Sequence, residues 1–537
     1  MSKRSGDHWD KQELTDPKVL SIVTTGDSSW RQAYDSLRAD PETFENWEAL
    51  VTATDALASS SGSQPEVAAT VRSVFDALLS KFPLMFGYWL QYAQLEARLA
   101  PSASTVDQVY ERAVCAFPNS IELWTSYLDH ATESGIERSK LKHLYLRALN
   151  HVGRDFLAHD VWDRYLAFED DTQEKIRMLK YVTSIPMHQY ARYLEEYRNL
   201  SGEDLPQEAV EATARRTNER WAYESLITRN YFHVLPVEDE QYDNWRNYLA
   251  YSVANETNLD DTRALFERAL VPCALYEEVW LQYIKWAMDC GRPEEEISLI
   301  FQKASEMVSI SRPFIRLQWS LYSELIGDIQ LARQIVRALE SSPSLTEFKD
   351  EINIHRAHFE RRQSIDGAID FLSRQKSTNA VYSAMLAVIY WKDKSNPDLA
   401  YQTFNDNFVK HCGNRCFLVN YFYFVLEQQS DESKLFTVWK DIVSQSPVDP
   451  VLIADISRVY MDHLLTSSSP LAMKHYMAVD AETNGPLITR HLWKQKLGSN
   501  TELRLWLENG HPGVEVDPLS KRNPSKNYNE PMTRNVS

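Results

Sequence analysis

The densest group of reactive side chains in the sequence is His411-Cys412-Gly413-Asn414-Arg415-Cys416, three potential metal ligands within six residues. Structural zinc needs four ligands, usually in two pairs. The other cysteines, Cys115, Cys273 and Cys290, stand far away in apolar stretches. The six residues therefore read as the flank of a helix, with no metal. His143, His355 and His358 lack a Ser, Cys or Asp at the spacing a nucleophilic site needs, and read as surface or packing residues. Glu294-Glu295-Glu296 and Asp170-Asp171 fit helix starts or solvated positions better than an acid/base pair. No Gly-x-Ser-x-Gly, Walker or dinucleotide motif occurs. The reading is a non-enzymatic protein with no catalytic, cofactor-binding or metal site.

Nucleic-acid contact is the next chemistry to weigh. Acidic residues outnumber basic ones, 76 to 57, for a net charge of −19. A surface devoted to neutralising phosphate needs clustered Lys and Arg. Two small clusters exist, Arg215-Arg216 with Arg220, and Arg356 with Arg361-Arg362. The favoured reading is a solvated face; acidic neighbours or a phosphate are the alternatives. Contact with RNA is thus expected to be mostly indirect.

Compartment signals are few. Five cysteines without framework spacing fit a reducing compartment. No apolar run follows the N-terminal basic residues, and no 18-residue apolar stretch exists, so neither a signal peptide nor a membrane span is expected. Lys521-Arg522 with Lys526 is a weak import candidate.

What the chain does carry is periodicity. Trp47, Trp89, Trp124 and Trp162 are spaced 42, 35 and 38 residues apart, and Trp245, Trp280 and Trp319 are spaced 35 and 39. Six of these have a tyrosine three residues on: Trp89/Tyr92, Trp124/Tyr127, Trp162/Tyr165, Trp245/Tyr248, Trp280/Tyr283 and Trp319/Tyr322. Glu96 and Glu169 follow two of these tyrosines by four residues. On an α-helix, positions i, i+3 and i+7 lie within about 60° of one another, so the three side chains share a stripe. A second element alternates with the first. It reads Tyr110-Glu111-Arg112-Ala113, Tyr145-Leu146-Arg147-Ala148 and Phe266-Glu267-Arg268-Ala269, with weaker copies at Phe75, Phe301 and Val336. An aromatic knob followed by a small alanine permits close helix contact, and a proline such as Pro83, Pro118 or Pro272 ends several copies. The shortage of glycine, 15 residues where average usage gives roughly 38, fits helices with short turns. The expectation is an all-α protein, an α-solenoid of antiparallel helix pairs in two arrays.

The pair Trp-x-x-Tyr-x-x-x-Glu and aromatic-Glu-Arg-Ala resembles the HAT (half-a-TPR) repeat family, with Ala131, Ser252, Ala287 and Ile326 departing from it at the glutamate. A narrower likeness lies in the segment between the arrays, where Tyr231-Phe-His-Val-Leu-Pro236 precedes Asn244-Trp-Arg-Asn-Tyr-Leu249. It is similar to the branch of that family belonging to the U1 small nuclear ribonucleoprotein. The resemblance implies a nuclear, non-enzymatic scaffold of pre-mRNA splicing, helping 5′ splice-site recognition and early spliceosome assembly. It implies U1 protein subunits as partners and a dimer, with itself or a sister HAT protein, through the C-terminal array. The alternatives are a HAT scaffold of another RNA-processing complex, such as mRNA 3′-end cleavage, or a direct RNA-binding module.

The organisation expected is an N-terminal extension over 1–40, a first array with connecting helices over 41–235, a second array over 236–480 and a polar, partly disordered tail over 481–537. A flexible loop is expected over 55–66, and a long helix over 207–229. Phe417 to Leu426 is apolar nearly all round. Burial between flanking repeats is the plain reading; the other makes Tyr421 and Phe424 a dimer seam.

Overall fold

The computed structural model describes residues 27–61, 64–99, 103–256, 258–375, 379–428, 431–444 and 448–485. The candidate import residues, most of the polar tail and most of the N-terminal extension lie outside these. The described residues form 25 α-helices and no strand, the all-α architecture expected. No described helix is long and apolar enough to cross a membrane.

Each tryptophan of the repeat opens a helix pair. The pairs are Phe44–Ser61 with Pro65–Lys81, Phe86–Leu99 with Ala103–Ala116, Ile121–Glu133 with Arg138–Val152 and His159–Phe168 with Thr172–Val182. After Tyr190–Ser201 and Gln207–Glu224 come Asp239–Asn255 with Leu259–Ala269, Glu277–Asp289 with Glu294–Met307 and Phe314–Leu325 with Ile329–Ser341. These all belong to one compact unit, Met1–Leu345; the second is Thr346–Ser537. The compact units divide at Leu345. Within the first unit, Phe232, Val271 and Ala274 are buried in the same apolar cluster as the N-terminal tryptophans.

The recurrent tryptophan does more than fill space. A buried indole N–H needs an acceptor, and here it takes the carbonyl of the turn before its own helix. Trp47 donates to Pro41 O at 2.9 Å, Trp89 to Pro83 O at 2.9 Å and Trp124 to Pro118 O at 2.7 Å. The proline stops the preceding helix because it has no N–H to continue it, and the tryptophan six residues later holds the resulting turn. Trp280 does the same with Ala274 O at 2.8 Å. Ser120 then caps its helix, accepting from Leu123 N at 3.2 Å.

Two expectations are corrected. The helix Phe44–Ser61 runs through most of the stretch expected to be a loop, and the next begins at Pro65; serines and alanines there are acceptable helix residues once Thr54, Leu57 and Ala58 are buried. The helix begun at Gln207 ends at Glu224, not at 229. Gln241 Oε1 accepts from Thr228 N at 2.9 Å and Arg229 N at 3.3 Å, while Trp245 Nε1 donates to Arg229 O at 3.0 Å. These side chains claim the backbone that a longer helix would have used.

The second unit holds Lys349–Gln363 with Ile365–Gln375, Ala380–Val388 with Pro397–His411, Arg415–Gln428 with Glu432–Val443, and Pro450–Thr466 with Ala472–Asn484. Its main core gathers Trp391, Phe404, Phe417, Phe422, Phe424, Trp439 and Tyr460.

Candidate interaction surface

Within the first unit the repeat motif builds ladders that run from pair to pair. Arg112 binds Asp76 at 2.8 Å, and Arg147 binds Glu111 at 2.7 Å. In each case the motif arginine meets the acid of the preceding copy. The same arginines lie over the tryptophan of their own pair, Arg112 over Trp89 at 5.8 Å and Arg147 over Trp124 at 5.3 Å. The motif tyrosines use the same acids. Tyr127 donates to Glu111 at 3.2 Å and Tyr283 to Glu267 at 3.3 Å. Tyr165 has no such partner among the described residues, because Leu146 replaces the acid in the preceding copy, and its buried hydroxyl makes no hydrogen bond with them. Burial pushes the Tyr92, Tyr127 and Tyr165 hydroxyls up from their ordinary value, with nearby acids adding to it.

The motif glutamates are buried and paired with the preceding copy. Glu96 binds Arg72, and Glu169 accepts from Lys142 at 2.5 Å. Arg72 and Lys142 each stand three residues before the motif aromatic, at Phe75 and Tyr145. In the Trp124 pair Ala131 replaces the glutamate, and the partner position holds Asp107, which meets His130 at 3.0 Å instead. Ser252 substitutes a hydroxyl contact, 3.0 Å to Thr262. In the Trp280 pair Ala287 replaces the glutamate but the cation, Arg263, remains, with Glu296 at 4.0 Å and the Glu267 carboxyl within its field; its buried Nε has no hydrogen-bond partner among the described residues.

The connecting helix Gln207–Glu224 is fixed by buried charge. Asp261 accepts from Arg154 at 2.5 Å, Arg216 at 2.6 Å and Arg220 at 3.2 Å. Glu256 accepts from Arg216 and Arg220, both at 2.7 Å. Glu224 accepts from Arg268 at 2.5 Å and from the Tyr248 hydroxyl at 2.9 Å, and Arg268 lies over Trp245 at 5.4 Å. Arg216 and Arg220 were expected on a solvated face; they are spent internally, since acids 36 to 45 residues away in sequence fold against them. Arg361 is likewise bound by Asp393 at 2.6 Å, and Arg356 lies over Phe371 at 4.5 Å.

This arrangement frames a groove of about 1990 Å³ in the first unit. Phe82, Pro118 and His151 line one side, Arg263, Leu299, Lys303 and Trp319 the other, and Val234 and Leu235 lie between them in sequence. Leu235 belongs to a strap held by Arg229, whose guanidinium donates to Leu235 O and Pro236 O, both at 2.7 Å. The neighbouring His233 packs on Phe44 at 6.2 Å. Sequence reasoning missed this groove; its signal was the Arg263/Ala287 mismatch.

Of the sequence-designated residues, Trp89, Tyr92, Ala113, Trp124, Trp162, Tyr165, Trp245, Tyr248, Phe266, Arg268, Ala269, Trp280, Tyr283 and Tyr322 are buried, as is Tyr110; Tyr127 and Trp319 are partly buried and Arg112 is exposed. Tyr421 and Phe424 are also buried, inside the second unit's own core. Phe424 meets Trp391 at 5.4 Å and Phe404 at 5.5 Å, and Tyr421 meets Phe404 at 5.2 Å. Both side chains are covered by their own unit.

The fold and its motif define a HAT-repeat α-solenoid, a class whose surfaces dock other macromolecules. The family model described as the PRP39 N-terminal HAT repeat matches residues 31–199, and that described as the PRP39 C-terminal HAT repeat matches residues 218–362. The chain belongs to this PRP39 family. It is 28% identical to Schizosaccharomyces pombe pre-mRNA-processing factor 39 over 92% of this chain and 94% of that protein. It is 25% identical to the human pre-mRNA-processing factor 39 over 68% of this chain and 64% of that protein. It is 24% identical to the Saccharomyces cerevisiae U1 small nuclear ribonucleoprotein component PRP42 over 57% and 65%. Among solved structures, CstF-77 matches with a TM-score of 0.47 and 12% identity, covering 74% of this chain and 89% of that one; at that level it favours no complex over another.

Proposed function

We propose that this protein is a nuclear, non-catalytic scaffold of pre-mRNA splicing that binds protein subunits of the U1 particle and supports 5′ splice-site recognition. The observation that carries the reading is the match to a pre-mRNA-processing factor 39 across nearly the whole of both chains, with the repeat motif spent on packing and on inter-repeat ladders. The arginine clusters support the view that RNA is reached through proteins, since Arg216, Arg220 and Arg361 are paired to carboxylates.

A dimer belongs to the same reading. The last described pair exposes Leu465, Met473 and Met477, and a terminal pair with an apolar outer face calls for a cap. The cap proposed is a second copy or a sister HAT protein. Purifying the tagged chain and sequencing its RNA tests the scaffold: U1 RNA is expected. Cleavage factors without U1 RNA would instead place the chain in 3′-end processing. Tight, steeply salt-dependent affinity for naked RNA would make it a direct RNA-binding module.

A further inference from the structure

Arg361-Arg362-Gln363-Ser364-Ile365 places two guanidiniums three and two residues before a serine, with an aliphatic residue after it. Arginine-directed protein kinases read that pattern, because carboxylates of their cleft pair with both cations while the serine meets the nucleotide's terminal phosphate. Arg-Arg-x-Ser/Thr occurs once in the chain; the other arginine pair, Arg215-Arg216, leads instead to Asn218.

The pattern becomes a substrate where the fold presents it. Ser364 is the single residue between the helices Lys349–Gln363 and Ile365–Gln375. It is exposed, and its backbone is already extended, with φ −158° and ψ 113°. Its hydroxyl is held by one weak bond, accepting from Gly367 N at 3.2 Å. Every residue from Glu360 to Gly367 is at least partly exposed, so opening the last turn of the first helix uncovers no core side chain. What closes that turn is polar. Ser364 N donates to Glu360 O at 2.6 Å, and Arg361 donates to Asp393 at 2.6 and 2.9 Å.

Charge around the turn is matched before modification. Arg361 is paired with Asp393, and Asp366 with Lys394 at 2.6 Å. A phosphate brings roughly −1.5 to −2 charge and three acceptor oxygens. At the start of Ile365–Gln375 it gains from the helix dipole, while Glu360 and Asp366 beside it repel it, so it draws a cation. Arg361 stands three residues before Ser364, on the same face of the chain's last turn. Taking Arg361 leaves Asp393 uncompensated. Asp393 ends the π-helical turn Ile389–Asp393, which is closed by Lys394 N on Ile389 O at 3.0 Å and Asn396 N on Tyr390 O at 2.8 Å.

We propose that Ser364 is a phosphorylation site for an arginine-directed protein kinase, and that its phosphate takes Arg361 from Asp393 and loosens the turn over 389–396. The Ser364 oxygen bonds to the terminal phosphorus of ATP, the bond from that phosphorus to the bridging oxygen breaks, ADP leaves, and the hydroxyl proton passes to the kinase's general base.

The test treats the folded full-length chain with magnesium ATP and the catalytic subunit of cyclic-AMP-dependent protein kinase. Mass spectrometry should place a phosphate on Ser364. Arg362→Gln should slow that transfer about tenfold, the loss of one charge-assisted hydrogen bond, with the thermal midpoint unchanged. Asp393→Asn, which releases Arg361, should speed it. Hydrogen exchange at the Lys394 and Asn396 amides should quicken in the modified wild type and stay constant in Ser364→Ala treated the same way. Chain isolated from growing cells with phosphatases blocked should carry the same phosphate. A phosphate that reaches Ser364 only after the chain is unfolded, or that is absent in cells, would overturn the site. A rate indifferent to Arg362→Gln would overturn the arginine-directed reading. Modified Ser364 with unchanged exchange at Lys394 and Asn396 would overturn the release of Asp393.

Discussion

Trp124 shows what one motif residue contributes. Its side chain is fully buried, its indole N–H holds the Pro118 carbonyl at 2.7 Å, and Arg147 covers its face. Truncation removes apolar burial and leaves a turn carbonyl unpaired. Trp124→Ala should cost about 3–5 kcal/mol, read as a lower urea midpoint; a loss under ~1 kcal/mol would contradict the packing described. Glu169 makes a prediction about pH. The Lys142 ammonium, through its hydrogen bond, holds the Glu169 carboxyl below its ordinary value of 4.5. A lowered carboxyl stabilises the fold above pH 4.5 and ceases to do so as pH falls through its folded value. Comparing wild type with Glu169→Gln by thermal melts should give a difference at pH 7 that shrinks steadily below pH 4.5. A constant difference would show that the carboxylate charge is immaterial.

At the scale of elements, the connecting helix Gln207–Glu224 depends on charge more than on apolar burial. Its buried side chains are Thr213, Arg220 and Glu224, so the acids of Asp261 and Glu256 hold it in place. Removing one partner from such a network leaves the others charged and uncompensated. Asp261→Ala should therefore cost about 3–5 kcal/mol, more than an alanine at exposed Asp243. Pairing it with Arg216→Met should recover part of the loss, because the stranded charge goes with it. Strictly additive effects in that double-mutant cycle would mean the two groups do not interact. The turns are held differently: Pro118 follows one helix, Trp124 takes its carbonyl, and Ser120 caps the next.

For the whole molecule, the decisive feature is that the recurrent side chains are used up inside the chain. What the repeats leave exposed includes the leucines of the groove and Leu465, Met473 and Met477 of the last described pair, on which the proposed dimer rests. Substituting Met473 and Met477 with glutamate leaves the buried Ala472, His475 and Val479 of that helix untouched. Measured by light scattering, the proposed dimer predicts twice the monomer mass for the wild type and a monomer for the double variant, with unchanged helical content. A folded variant that remains dimeric would move the seam elsewhere.

The tryptophan period, its tyrosine partner and the proline after several of the second helices determined the helix pairs, because 3.6-residue periodicity and the missing proline N–H are local properties. They also determined the family. The loop at 55–66 and the helix end at 229 were misread for the converse reason, since distant side chains decide them: a packed face carries the first helix to Ser61, and Gln241 and Trp245 stop the second at Glu224. Likewise, nothing within a few residues of Arg216 or Arg220 reveals that Glu256 and Asp261 neutralise them, or that Ala287 leaves Arg263 without its glutamate. For Tyr421 and Phe424 periodicity made burial the plain reading and left an interface as the other. The fold alone supplies Phe404 and Trp391 as the rings that pack on them. Repetition along the chain is written in the sequence, whereas the pairing of charges and the covering of faces depend on which segments the fold brings together.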